Sequence, residues 1–182
     1  MSYTTQMLIL KVVQMPRSIQ QLYTFLFLIL AGSTAMASIG PKVGQQAPEF
    51  ELNDLKGKTH SLKELRKKGH VLLVFWSTRC HVCHALIPKF KEIHNKYNDK
   101  GLAFAAINVG FENKDEVEDY VFEFKLDYLV LNDDEKKAKL AEEYQLVGTP
   151  TFELIAPNGI VKYRGYSVPD LDKLMKTPAA GK

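Results

Sequence analysis

Cys80 and Cys83 are the residues of this sequence with the clearest capacity for chemistry. They are the only cysteines among 182 residues, and only His81 and Val82 separate them. A disulfide between them closes a very short loop, so it restricts the unfolded chain little and adds little stability. Two thiols at this spacing are typical of dithiol–disulfide exchange, which indicates redox chemistry.

A strand followed by a helix is expected to position this pair. The run Val71-Leu72-Leu73-Val74-Phe75-Trp76 is continuously apolar and predicts a strand that is buried on both faces. Apolar residues at helical spacing predict a helix from the cysteines to about Tyr97, kinked by Pro88. At the start of that helix, unpaired N–H groups and the helix dipole favour a thiolate. We therefore assign Cys80 as the nucleophile and Cys83 as the more buried resolving thiol.

Three basic side chains flank the cysteines. Arg79, His81 and His84 can place positive charge near a thiolate. Because imidazole titrates near neutral pH, either histidine is also a candidate acceptor for the proton of Cys83. The alternative is that both histidines are simply exposed on the first helical turn.

Alternating strands and helices are predicted on both sides of the pair. A β-hairpin over 46–62 precedes it, and Ser61 with Glu64 predicts the cap of a short helix. After it we predict strands over 102–109, 128–131, 151–155 and 160–166, and helices over 115–124, 135–144 and 168–175. This order predicts a three-layer α/β domain.

Short motifs accompany the cysteine pair between Gly44 and Leu174. They are Ala47-Pro48-Glu49-Phe50, Val74-Phe75-Trp76, Asn108-Val109-Gly110, Thr149-Pro150-Thr151 and Pro157-Asn158-Gly159. With these motifs the sequence resembles the thioredoxin superfamily, and within it the TlpA/ResA-like thiol-disulfide oxidoreductases. The resemblance implies a thioredoxin-like three-layer fold with a mixed central sheet, an N-terminal β-hairpin and a β/α insertion.

The same resemblance implies how the protein works. It implies a cis peptide before Pro150 and a substrate-binding surface formed by Trp76, Thr149 and Pro150, with Trp76 packing under the site. It also implies an enzyme without an organic cofactor that acts on protein thiols or disulfides. A membrane electron-carrier protein would reduce it, and it would serve as a reductant in cytochrome c or oxidase assembly.

The sequence departs from the family pattern at three positions. Val74 stands where thioredoxins carry a buried aspartate, and Arg79 stands where they carry a tryptophan. Leu86 stands where ResA-like proteins carry a glutamate. No carboxylate is therefore evident to take the proton of Cys83, and we interpret the acidic run 112–119 as a solvated helix face.

Other functions fit the same residues less well. The pair could belong to an oxidising or isomerising Dsb-like protein, because the residues do not fix the direction of electron flow. Cys80-His81-Val82-Cys83-His84 also matches the attachment motif of c-type haem, and its side chains could bind copper as in a chaperone. We expect no metal, since the remaining histidines lack the spacing of a second ligand segment. A peroxiredoxin is disfavoured because Leu73 occupies its proline position.

The N-terminal segment predicts export. Lys11 and Arg17 precede an apolar run over 22–30, and small residues then lead to Ala35-Met36-Ala37. This pattern predicts a signal peptide over 1–37, cleaved after Ala37, and a thioredoxin-like domain over 38–182. The protein would be periplasmic or otherwise exported. In the alternative, residues 22–32 anchor it in the membrane, and Met15 could be the natural start.

The charge balance restricts the partners. The formal net charge is +3, with 24 basic and 21 acidic side chains and no clustered basic face in the sequence. Nucleic acid is therefore not an expected partner. We expect a monomer that contacts protein substrates.

Overall fold

The computed structural model describes residues 40–132, 134 and 136–177. The predicted signal peptide and its cleavage site lie outside these residues. Within the described ranges, no helix has both the length and the apolar character needed to cross a membrane.

A mixed five-stranded sheet forms the centre of the domain, and a two-stranded hairpin precedes it. The strands are β1 (Glu51–Asn53), β2 (Thr59–Ser61), β3 (His70–Trp76), β4 (Leu102–Asn108), β5 (Leu129–Leu131), β6 (Thr151–Ile155) and β7 (Val161–Gly165). The sheet has the order β5-β4-β3-β6-β7. β3, β4 and β5 are parallel, whereas β6 pairs antiparallel with both β3 and β7.

Helices cover both faces of this sheet. They are α1 (Leu62–Leu65), α2 (His81–Ala85), α3 (Ile87–Tyr97), α4 (Lys114–Glu123), α5 (Lys137–Glu143) and α6 (Leu171–Leu174). Short 3₁₀ turns follow α1 and α3. The predicted α/β class, the three layers, the mixed sheet, the N-terminal hairpin and the β/α insertion formed by α4 and β5 are all confirmed.

β3 divides the core into two layers because its side chains alternate between the faces of the sheet. Leu72, Val74 and Trp76 pack on the side that holds Cys83 and α3. Val71, Leu73 and Phe75 pack on the side that holds the N-terminal segment and α5. The strand that leads to Cys80 is thus buried on both faces, as its sequence predicts.

The helix predicted from the cysteines to Tyr97 is divided into α2 and α3 at Leu86. Pro88 lies in the first turn of α3, where a helix needs no N–H donor. Proline therefore begins a second helix here, which corrects the expectation that it kinks one continuous helix.

A buried ion pair anchors the loop that leads to Pro150. The Arg164 guanidinium donates to Glu153, which is fully buried in β6, and to the carbonyl oxygens of Tyr144 at 2.6 Å and Gln145 at 3.1 Å. Burial raises the pKa of the Glu153 carboxyl to about 8, against the opposing effect of Arg164. The pair thereby links β6 and β7 to the end of α5, where the loop begins.

Candidate active site

The Cys80–Cys83 disulfide lies where β3 passes into α2. Cys80 is the N-cap of α2, and its Sγ accepts a hydrogen bond from the backbone N–H of Cys83 at 3.1 Å. Cys83 is 1% exposed, whereas Cys80 is partly exposed. A partner sulfur can therefore reach Cys80 from solvent but not Cys83.

The cap geometry is suited to a thiolate. Donors at a helix N-terminus stabilise negative charge more than they stabilise a neutral thiol, and this lowers a thiol pKa. When the disulfide is reduced, the N–H of Cys83 can serve the Cys80 sulfur in this way. The order of attack assigned from the sequence, with Cys80 first, stays a prediction.

Glu112 is the functional residue that sequence reasoning missed. Its side chain is 1% exposed and lies against the loop that precedes Cys80. Its Oε1 accepts hydrogen bonds from Ser77 Oγ at 2.5 Å, Thr78 Oγ1 at 2.8 Å and the backbone N–H of Arg79 at 3.3 Å. A carboxylate is therefore present at the site, although it comes from the acidic run that we interpreted as a solvated face.

The environment of Glu112 keeps its carboxyl group ionised. Burial alone would raise its pKa, but the donors in the Ser77–Arg79 loop outweigh burial and lower the pKa to about 2. A group with so low a pKa holds no proton near neutral pH. Glu112 is thus an ionised partner of the three donors in the Ser77–Arg79 loop and holds that loop in position.

Three residues near Glu112 in the structure permit its burial. Gly110 leaves the carboxylate room, since a Cβ there would collide with it. Lys137 Nζ donates to the carbonyl oxygen of Glu112, and Asn108 Nδ2 lies 3.4 Å from its Oε2. The motif Asn108-Val109-Gly110 was the sequence signal from which a buried carboxylate could have been predicted. It brings a polar group and a glycine to the end of a buried strand.

His84 faces the inserted helix α4. Its Nδ1 lies 3.1 Å from the Tyr120 hydroxyl, and its ring meets Phe124 edge-on at 4.7 Å. The Tyr120 ring lies 5.3 Å from that of Trp76, which is 4% exposed and packs under the site. These four residues form an aromatic cluster that joins α4 to the cysteine-bearing helix.

All three candidate basic residues are exposed. His81 lies on the surface next to Cys80 in sequence. The Arg79 guanidinium donates to Glu116 Oε1 of α4 at 3.5 Å. Arg79 and His81 are the sequence neighbours of Cys80, and both are exposed to solvent.

The Thr149–Pro150 peptide is cis, which confirms the expectation from the resemblance. Phe75 of β3 pairs with Thr151 of β6, so the cis bond lies at the edge of the sheet from which the chain runs to Cys80. Pro150 is buried and Thr149 is partly exposed. This edge thus brings together the residues predicted from distant parts of the sequence.

Over 40–132, 134 and 136–177, no cluster of three or more His, Cys, Asp or Glu side chains has an arrangement that could hold a metal ion.

Comparison with known proteins identifies the family. The AhpC/TSA family matches residues 43–164. The chain belongs to this family. It is 38% identical over 120 residues to the thiol-disulfide oxidoreductase ResA of Geobacillus kaustophilus, covering 66% of this chain and 67% of the relative. It is 32% identical over 126 residues to the thioredoxin-like protein YneN of Bacillus subtilis, covering 68% of this chain and 71% of that relative.

Solved structures agree with this assignment. A putative thiol:disulfide interchange protein DsbE from Chlorobium tepidum has a TM-score of 0.63 at 25% identity, covering 73% of this chain and 91% of that one. The thioredoxin domain of a thiol-disulfide oxidoreductase from Bacteroides vulgatus has a TM-score of 0.61 at 26% identity, covering 68% and 90%. The chain is a ResA/TlpA-like thiol-disulfide oxidoreductase of the thioredoxin superfamily.

Replacing Glu112 tests its role in holding the redox loop. Glu112→Gln keeps the shape but removes the charge that three donors share, and hydrogen bonds to charged groups contribute about 1.5–3 kcal/mol. We expect the free energy of unfolding to fall by about 2 kcal/mol at pH 7, measured by urea denaturation. Because folding lowers the Glu112 pKa, this loss should shrink as pH falls below the unfolded value and towards about 2.

Glu118→Gln is the matched control on α4. Glu118 is half-exposed and forms a surface ion pair with Lys114, so its replacement should change stability by about 0.5 kcal/mol or less. Equal losses in the two variants, or a loss for Glu112→Gln that does not depend on pH, would contradict the assignment.

Proposed function

We propose that this protein is an exported reductant that transfers two electrons to disulfides of protein substrates through Cys80 and Cys83. The observation that carries the exchange chemistry is the asymmetry of the pair, while the reducing direction follows the resemblance to TlpA/ResA-like proteins. Cys80 is accessible at a helix N-terminus, whereas Cys83 is buried one turn later. The Cys80 sulfur can thus contact the substrate, while the Cys83 sulfur is protected from it until the second exchange.

The proposed reaction has two exchanges. In the first, the Cys80 thiolate attacks a substrate disulfide, forms a mixed disulfide and releases one substrate sulfur as a thiolate. In the second, Cys83 loses its proton and attacks Cys80 Sγ, which restores the Cys80–Cys83 disulfide and releases the second substrate sulfur. The substrate gains two electrons and two protons and becomes a dithiol, while the protein is oxidised.

Named residues support these steps. Thr149 and Pro150, with Trp76 beneath them, are proposed to position the substrate chain beside Cys80. Arg79 and His81 are proposed to favour the Cys80 thiolate by their charge. His84 remains a candidate acceptor for the proton of Cys83, because it follows that residue directly.

The cycle requires a source of electrons and a location. We propose that a membrane electron-carrier protein reduces the disulfide, that the domain acts as a monomer, and that cytochrome c or oxidase assembly is the setting. The signal peptide pattern over 1–37 supports export. N-terminal sequencing of the exported protein would give Ser38 as its first residue, and retention of 22–32 would favour the anchored alternative.

Single-cysteine variants test the order of attack. Cys80→Ser should abolish reduction of a protein disulfide, because Cys83 is buried. Cys83→Ser should instead accumulate a mixed disulfide with the substrate, visible on non-reducing gels and by mass spectrometry. Retained activity in Cys80→Ser would end the proposal.

Repeating the release step over a pH series in His84→Ala and His81→Ala tests whether either histidine accepts the proton of Cys83. Unchanged pH profiles in both variants would exclude both histidines.

The reduction potential tests the direction of electron flow. We expect a value near ~−270 mV, the range of a reducing thioredoxin, from equilibration with glutathione or dithiothreitol buffers. A value near ~−120 mV would indicate an oxidant and would contradict the proposed direction while leaving the exchange chemistry in place.

A further inference from the structure

Three large apolar side chains are exposed in the segments that surround Cys80. Val82 is 57% exposed, Phe111 98% and Val147 81%. Val82 lies between the cysteines, Phe111 follows the end of β4, and Val147 precedes the start of β6. Since β4 runs parallel and β6 antiparallel to β3, all three segments lie at the edge of the sheet where Cys80 lies.

Phe111 directly precedes Glu112, a residue that hydrogen bonds hold in place. The side chain of Glu112 is fixed by Ser77 and Thr78, and its carbonyl oxygen by Lys137. These bonds fix the backbone on the C-terminal side of Phe111. Glu112 also ties the position of Phe111 to the loop that carries Cys80.

Phe111 is an almost fully exposed aromatic residue at the same end of the sheet as Cys80, and aromatic side chains are enriched at contact surfaces. Exposure of so much apolar area is unfavourable in water, and clustered exposed apolar side chains mark interaction sites. Any substrate must bring a sulfur atom within bonding distance of Cys80. The chain on either side of that sulfur then approaches the end of the sheet that carries the three exposed side chains.

We propose that Phe111, together with Val82 and Val147, selects protein substrates that carry large apolar side chains next to the target cysteine. Phe111 is the specificity-determining residue of this set, because it offers the largest exposed ring. The occupant is an extended segment of the substrate protein that is continuous with the disulfide under attack. This inference rests on the proposed function and names the substrate class for it.

The chain provides a matched control in Phe122. This second phenylalanine is 86% exposed, but it lies in α4 beside Leu55 and Lys56, in a groove that includes none of the residues assigned to the active site. Phe111→Ala and Phe122→Ala remove the same group from equally solvated positions. A difference in activity between the two variants therefore shows that the position of the phenylalanine matters, and not merely the loss of an exposed ring.

The test compares three disulfides. Two are peptides with one intramolecular disulfide each, flanked in one by Phe and Leu and in the other by Ser, and the third is glutathione disulfide. We expect Phe111→Ala to lower kcat/KM for the apolar peptide about tenfold, as for loss of an aromatic contact residue. Its values for the other two disulfides, and all values of Phe122→Ala, should match the wild type.

Distinct results would overturn the inference and the function. An unchanged kcat/KM of Phe111→Ala for the apolar peptide would overturn the inference, as would equal losses on all three disulfides. A wild type that reduces every disulfide without preference would overturn the inference alone. A wild type that reduces none of them would overturn the proposed function.

Discussion

The carboxylate of Glu112 is removed from water at the edge of the sheet, and it must therefore find donors within the protein. It finds them in the loop that leads to Cys80, from two hydroxyl groups and one backbone N–H. Because these donors favour the ionised form, the carboxylate stays charged and the bonds persist. The loop before Cys80 and the loop after β4 thus become one rigid unit. This unit joins the loop that carries Cys80 to the segment that carries Phe111.

The inserted helix α4 contributes a second constraint. Asn113 and Glu116 cap its first turn reciprocally, and its last turn presents Tyr120 and Phe124 to His84. The insertion therefore contacts the redox region at both ends, through the Glu112 loop at one and the aromatic cluster at the other. His84 is thus packed against α4 through Tyr120 and Phe124.

Local patterns allowed much of the fold to be predicted. The apolar run of β3, the helix start at Cys80 and the cap at Ser61 are decided by neighbours in sequence, and the structure confirms them. Glu112 could not be predicted in the same way, because its donors lie more than thirty residues earlier and an acidic run is usually solvated. The break at Leu86 escaped prediction for a related reason, since Pro88 is compatible with either a kink or a new first turn.

The central claim is that Cys80 is the activated nucleophile and Cys83 its protected partner. Alkylation of the reduced protein by iodoacetamide over a pH series, with each site followed by mass spectrometry, measures both properties at once. The geometry predicts that Cys80 reacts with an apparent pKa within about 3.5–7.5, below the value of about 8.5 for free cysteine, while Cys83 stays unmodified in the folded protein. Equal modification of both cysteines with a midpoint near about 8.5, or modification of Cys83 first, would contradict the claim.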